Sequence, residues 1–299
     1  RPGRRSRRLA AGPGQHAPLM PAARKRAAAG RRKTDPIKPW ARRLKVSRPD
    51  LVEFVLEGVQ SLYGVPQWQR VLDPTSELVL VILTQNSADI NAEKAFDALR
   101  LAYPSDHSLV ERGLPRELEM AYRPGWGGTG WAILPPPDWT RVEVAPLDEL
   151  VDVIRPAGLA NQKAARIKAS LARLREERGD HSLEFLGEME PLAAREWLTS
   201  IGGIGVKTAS VVLMLSFGMP LMPVDRHVDR VSKRIGLIPP TVSAEEAHDR
   251  YLALLKPEQC YPMHVGLITH GRNLCDARAP RCDECPIALR CRFVDRRAP

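Results

Sequence analysis

The chain has 299 residues, 43% of them apolar, and a formal net charge of +10. That apolar share can build a buried core and excludes a wholly disordered protein, while the longest apolar run, Leu78–Leu83, is far shorter than the ~20 residues a bilayer-spanning helix needs. The charge is lopsided: residues 1–45 carry 15 Lys and Arg against one acid, Asp35, whereas the rest holds 30 basic and 34 acidic groups, so bulk charge does not make the remainder a polyanion binder.

Residues 1–45 are rich in Arg, Ala, Gly and Pro, with one aromatic, Trp40, and no helical apolar period. They are predicted to be a disordered basic tail, either a solvated extension or a source of sequence-blind, salt-sensitive attraction to phosphate. Such a start is also compatible with an organellar transit peptide, although Ser is sparse. From Asp50, a predicted N-cap, the apolar residues Leu51, Phe54, Val55, Val59 and Leu62 recur at helical steps. Asp73 and Pro74 mark a second helix start, and Leu78–Leu83 behind them reads as a helix apolar on all sides, central to a helical core. Ala92–Leu101 resumes an amphipathic helix. Between residues 103 and 146, Pro, Gly and three Trp predict a long loop with some short helix near Glu117. Helices return at Leu147–Ile154, Lys163–Arg175, Pro191–Leu198, Lys207–Phe217, Asp225–Ile235 and Ala244–Leu255, and the last forty residues read as a short, loop-rich, Cys-bearing end. No segment alternates apolar and polar residues like a sheet, so the predicted class is all-α.

Three features carry chemistry. Cys275, Cys282, Cys285 and Cys291 fall within seventeen residues, separated by six, two and five. Four thiols so close suit a metal centre, zinc or iron–sulfur, better than a disulfide framework. Cys260 stands apart as an apolar residue.

The second feature is the turn Ile201-Gly202-Gly203-Ile204-Gly205 that joins two predicted helices. Gly203 and Gly205 can take positive φ and let a phosphate approach the amides at the next helix start, while Ile204 plugs the turn into the core. Lys207 follows, at the positive end of a helix dipole. That position predicts a depressed ammonium pKa, as a Schiff-base nucleophile requires; a Lys that reaches solvent or pairs with phosphate is the plainer alternative. The third is Val224-Asp225-Arg226-His227, where Asp225 is a predicted N-cap that could also stabilise a neighbouring cation.

Taken together, the hairpin Gly203-Ile204-Gly205-Val206-Lys207-Thr208-Ala209, the Asp225 element and the order of Cys spacings resemble the endonuclease III branch of the helix-hairpin-helix DNA glycosylase superfamily. Further matches are Ile82-Leu83-Thr84-Gln85-Asn86-Ser87-Ala88-Asp89, Gly158-Leu159-Ala160-Asn161-Gln162-Lys163-Ala164 and His270-Gly271-Arg272. The resemblance spans about 50–102 and 147–294. It implies two helical lobes around a DNA cleft: a six-helix barrel at 76–219, interrupted by the 103–146 loop, and a lobe of 46–75 plus 220–299 with a 4Fe-4S cluster on the four cysteines. It implies that Lys207 is the nucleophile and Asp225 the carboxylate. Gln85 and Asn86 then correspond to the region that enters the duplex, and Gly203, Ile204, Gly205 and Thr208 to the hairpin that holds DNA.

The implied activity is base-excision removal of oxidised pyrimidines from damaged double-stranded DNA, followed by β-elimination at the abasic site. A monomer without membrane association is implied, in the nucleoid if bacterial, with organellar or nuclear targeting by the tail left open. Alternatives are a monofunctional glycosylase for mismatched, uracil or alkylated bases, a non-catalytic DNA-binding module and an iron–sulfur electron carrier. Lys207 favours the lyase, since relatives of the adenine-mismatch type carry a small polar residue there and thymine-mismatch relatives often a Tyr. The Trp-bearing insertion, with Trp126, Trp131 and Trp139, departs from the family pattern; its rings either pin the loop to its own protein or stack on a base. The Gln85-Asn86 pair also departs from the Ala-Gln usual in endonuclease III.

Overall fold

The computed structural model describes residues 37–106 and 135–295. Helices and short 3-10 turns make up the regular structure, and among the described residues the only extended pairing is an isolated bridge between Pro104 and Pro137. None of these helices is long and apolar enough to cross a membrane. In chain order they are α1 Ile37–Ser47, α2 Leu51–Tyr63, α3 Pro74–Thr84, α4 Asp89–Ala102, α5 Trp139–Val144, α6 Leu147–Val153, α7 Ala160–Arg178 and α8 Pro191–Thr199, then α9 Val206–Phe217, α10 Arg226–Ile235, α11 Ala244–Leu254, α12 Pro257–Asn273 and α13 Arg292–Asp295.

Sequence punctuation accounts for most helix starts. The Asp73 carboxylate accepts from the amides of Thr75 and Ser76 at 3.1 and 2.9 Å, and Pro74 occupies the first helical position, where no amide is needed. Asp225 caps α10 in the same way, and Gly236 ends it with φ +90°. Asp50 does not cap α2. Its backbone is left-handed, φ +55°, and its side chain makes no cap bond; only its carbonyl joins the helix, accepting from Phe54 at 2.9 Å.

Three further expectations change. Residues 37–45, read as part of the disordered tail, belong to α1. Ala41 and Leu44 are buried, and the Arg250 guanidinium lies 4.7 Å from the centre of the Trp40 ring, so packing against α11 supplies what the short apolar stripe lacks. The 103–146 stretch is not all loop, because Asp138 caps α5 through Thr140 and Arg141 at 3.0 and 3.1 Å. Trp139 is buried beside Phe96, ring centres 6.3 Å apart, and pins this segment to the core; Glu117, Trp126 and Trp131 lie outside the described residues. The amide of Asp138 donates to Tyr103 O at 2.7 Å, so the excursion leaves and returns at one point and its length need not disturb the core. Finally, the supposedly loop-rich end contains α12, of 17 residues. Pro262, Gly266 and Gly271 weaken its helical signal, but the two glycines face tight packing. A Cβ on Gly266 would meet Val59 Cγ2 at 2.4 Å, and one on Gly271 would meet His227 Cβ at 2.8 Å. Closeness to α2 and α10 thus overrides poor intrinsic propensity.

Two hydrophobic cores result. One is built from residues between Leu78 and Leu221, chiefly on α3, α4, α7 and α9. The other joins Leu44 to Val59 with residues from Met222 to Cys291. The chain crosses from the first to the second at Leu221–Met222, three residues before Asp225. Polar contacts tie the two together: Arg272 to Asp89 at 3.0 Å, Arg195 to Asp249 at 2.8 Å, and the Trp68 indole N–H to Met214 O at 2.9 Å.

Candidate active site

The helical hairpin runs from α8 through Ser200–Gly205 into α9. Gly203 has φ +87°, in the region that favours glycine, and Ile204 is buried in the first core, its amide donating to Ile201 O at 3.1 Å. The side chain of Ile204 is therefore committed to packing, and only its backbone can face a ligand. Gly202, Gly203 and Gly205 are exposed, and no side chain caps α9. Its first amides are thus open donors at the positive end of the helix, the arrangement that receives an anion.

Lys207 lies in the first turn of α9 and is half-buried. Its ammonium is held below the ordinary lysine range: burial is the main cause, with Arg272 adding repulsion, while the carboxylates of Asp225 and Asp89 oppose the shift. The sequence attributes this depression to the helix dipole, but desolvation is the larger influence. The amine is thus poised towards its neutral, nucleophilic form beside two carboxylates.

Asp225 belongs to the second core's chain, and it is held from behind. Oδ1 accepts from the amides of His227 and Val228 at 2.8 and 2.7 Å. Both cap bonds go to one oxygen, so Oδ2 is the atom left for a substrate. The segment before Asp225 is fixed by two buried histidines that sequence reading passed over. His248 Nδ1–H donates to Met222 O at 3.0 Å and His264 Nδ1–H to Pro223 O at 2.9 Å; burial pushes each imidazole down to about 4, so both stay neutral. Asp89 and Arg272 were visible only as motif letters; their pairing near Lys207 is a tertiary fact.

Gln85 and Asn86 form the turn between α3 and α4. Asn86 is exposed with φ +52°, a conformation Asn tolerates better than most residues. Gln85 points to the hairpin: its Nε2 donates to Thr208 Oγ1 at 3.2 Å, and its Oε1 accepts from Arg166 at 2.5 Å. Thr208 is buried, so its hydroxyl serves Gln85. Behind this turn the buried Lys163 ammonium donates to Leu83 O and Ala157 O, each at 2.7 Å, closing off the C-terminal end of α3.

The four clustered cysteines line one cavity whose other walls are mainly apolar, including Val231, Leu274, Ile287 and Phe293. Among the described residues, no three potential ligands converge closely enough to hold a single ion. Arg234 donates to Cys275 Sγ at 3.2 Å, and His270 Nε2 lies 3.5 Å from Cys285 Sγ. Burial pushes the Cys285 thiol up to about 11 and raises Cys291 as well, so these thiols ionise at neutral pH only against bound cationic metal. Cys260 is buried apart from them.

Comparison with known proteins agrees with this geometry. The family model for HhH-GPD superfamily base excision DNA repair proteins matches residues 79–257. Endonuclease III of Bacillus subtilis is 36% identical over 152 residues, which cover 51% of this chain and 65% of that protein. The DNA glycosylase/AP lyase ROS1 of Arabidopsis thaliana is 31% identical over 172 residues, 52% of this chain but only 12% of the much longer plant protein. Among solved structures, a trapped covalent intermediate of endonuclease III with DNA, an estranged-adenine complex, has a TM-score of 0.60 at 25% identity, covering 82% of this chain and 96% of that one. With the family model covering more than half of its length, and the hairpin, Lys207 and Asp225 inside the matched region, the chain belongs to the HhH-GPD superfamily of base excision DNA repair proteins.

Proposed function

We propose that the chain is a DNA glycosylase with abasic-site lyase activity that acts on damaged double-stranded DNA, with oxidised pyrimidines as the leading substrate class. One observation carries this reading: a half-buried amine of depressed pKa, Lys207, stands at the uncapped start of the hairpin helix under the influence of the Asp225 carboxylate. Two lobes, one around each hydrophobic core, would clasp the duplex between them. The relatives support the same reading, since one is named a glycosylase/AP lyase and a solved neighbour was trapped covalently on DNA.

The chemistry follows from the residues. Rupture of the glycosidic bond builds positive charge on the sugar, and the Asp225 carboxylate lowers that barrier electrostatically. Neutral Lys207 attacks C1′ and the base leaves with the bonding electrons; the amine then gives up a proton, the C1′–O4′ bond opens with O4′ taking a proton, and the resulting Schiff base acidifies the C2′ protons. Loss of one of them expels the 3′ phosphate. A base weakened in its pairing costs least to extrude, which favours damaged sites. The exposed glycine turn would hold the backbone while Gln85 and Asn86 approach the gap left in the stack.

The four cysteines suit a 4Fe-4S cluster. They line one mainly apolar cavity, and four cysteine thiolates are the ligand set such a cluster takes. When bound, the cluster would tie together the segment from Cys275 to Cys291, against the face of α10 that carries Val231, Arg234 and Ile235. Because Cys275, Cys282, Cys285 and Cys291 must release protons to bind, metal retention is expected to fail as pH falls.

The test is a panel of duplexes, each with one lesion, assayed with and without an alkaline step, on protein whose iron and acid-labile sulfide are measured. Strand cleavage without alkali is the expected result. Cleavage only after alkali would replace the lyase with a monofunctional glycosylase, and binding without either would reduce the chain to a DNA-binding module.

The depressed amine also fixes a pH dependence. A neutral nucleophile makes kcat/KM for abasic-site cleavage rise with pH and level off above the amine pKa. Arg272→Gln removes a repelling cation and leaves Asp89 unpaired, and both changes favour the ammonium. The rising limb is therefore expected at higher pH in this variant, as read from the pH profile; an unchanged or lowered limb would contradict the electrostatic assignment.

A further inference from the structure

Arg166 of α7 sits at a junction that the proposed chemistry does not use. Its side chain packs on the hairpin turn: a Cβ built on Gly203 would fall 2.7 Å from Arg166 Nε and 2.9 Å from Cδ. Its guanidinium also donates to Gln85 Oε1 at 2.5 Å, and Gln85 in turn donates to Thr208 beside Lys207. Among the described residues no carboxylate pairs with Arg166, so a planar group with five donors has one neutral acceptor and spare capacity directed along the turn.

We propose that Arg166 is a phosphate-responsive positioning residue, which holds Gln85 against the hairpin in the free protein and releases it when a DNA phosphate reaches the glycine turn. This rests on the glycosylase reading above. The phosphate that the glycine turn and the uncapped start of α9 would receive lies next to a guanidinium already in contact with Gly203. A charge-assisted, two-pronged bond to phosphate is stronger than a single bond to an amide oxygen, so the phosphate displaces Gln85. The backbone under Gln85 stays in place, because Lys163 clamps Leu83 O and Ala157 O. Release is then a side-chain rotation, and it makes Gln85 available to the duplex only where the backbone is correctly seated.

The experiment is a double-mutant cycle on binding of a duplex with one tetrahydrofuran abasic analogue, which cannot be cleaved, using the full chain, Arg166→Met, Gln85→Ala and the double variant. The Arg166–Gln85 bond exists only in the free state, so either single substitution removes a restraint as well as a contact. Each single variant is expected to lose severalfold in affinity, and the double variant about tenfold more than the product of the two. Arg166→Met should also reduce the slope of log K against log salt by about 1, whereas Arg166→Lys, which keeps the charge, should largely preserve it. Effects that simply multiply, or an unchanged salt slope in Arg166→Met, would overturn the inference while leaving the glycosylase reading intact. Failure of the unmodified chain to bind the duplex would overturn that reading, and this inference with it. Thermal unfolding of the four proteins, measured alongside, separates a binding effect from a folding one.

Discussion

Lys207→Ala is expected to give no covalent adduct when mixed with an abasic-site duplex and borohydride, under conditions in which the unmodified chain is trapped in good yield. Reduction captures a Schiff base only if an amine has already reached C1′, and among the described residues no other lysine shares the surroundings of Lys207, at an open helix start under the influence of Asp225 and Asp89. The enzyme-catalysed strand break without alkali should fall by a factor on the order of 10³ or more, as when the group that forms a covalent intermediate is removed. The substitution should not weaken the fold. Ala is the better helix former, and its introduction removes a partly desolvated cation from the positive end of α9. Trapping by Lys207→Ala at a rate close to that of the parent chain would move the nucleophile elsewhere.

Asp225→Asn carries the second large effect. The carboxylate has two duties, one structural and one chemical, and this substitution separates them. Asn caps helices about as well as Asp, so its amide oxygen can still accept from His227 and Val228, and the thermal midpoint should hardly move. The negative charge that faces the developing sugar cation is lost, and base release measured after alkaline work-up should fall by roughly 10²–10³, the usual consequence of removing one preorganised electrostatic group. Asp225→Ala provides the contrast: it should lose activity to the same degree and about 1 kcal/mol of stability besides, because the cap goes too. Full base release by Asp225→Asn would leave the carboxylate with a capping role alone.

These expectations differ in how much of their basis was readable without coordinates. Local chemistry was. Asp73 and Asp225 as caps, Gly236 as a stop and the apolar α3 and α9 follow from short-range rules that operate over one turn of helix, where the sequence neighbours are also the spatial neighbours. The hairpin, Lys207 and the close-set cysteines were legible for the same reason, since each is written in a few consecutive residues. Legibility failed where stability is supplied from far along the chain. α1 owes its existence to α11, and α12 survives Pro262 and two glycines because the glycines let α2 and α10 approach; Asp50 resembles a cap but has a left-handed backbone.

The site divides along the same line. Composition and motif determined which reactive groups this protein owns: an amine at a helix start, a carboxylate at another, four thiols in a loop and a glycine turn open to phosphate. Tertiary structure alone decided which of them meet. The shift of Lys207 comes mainly from burial, opposed by Asp225 and Asp89 and reinforced by Arg272, groups that lie far apart in sequence, and Gln85 is bound to the hairpin through Arg166. Desolvation and Coulomb attraction depend on distance through space, and that distance exists only once the two cores have packed.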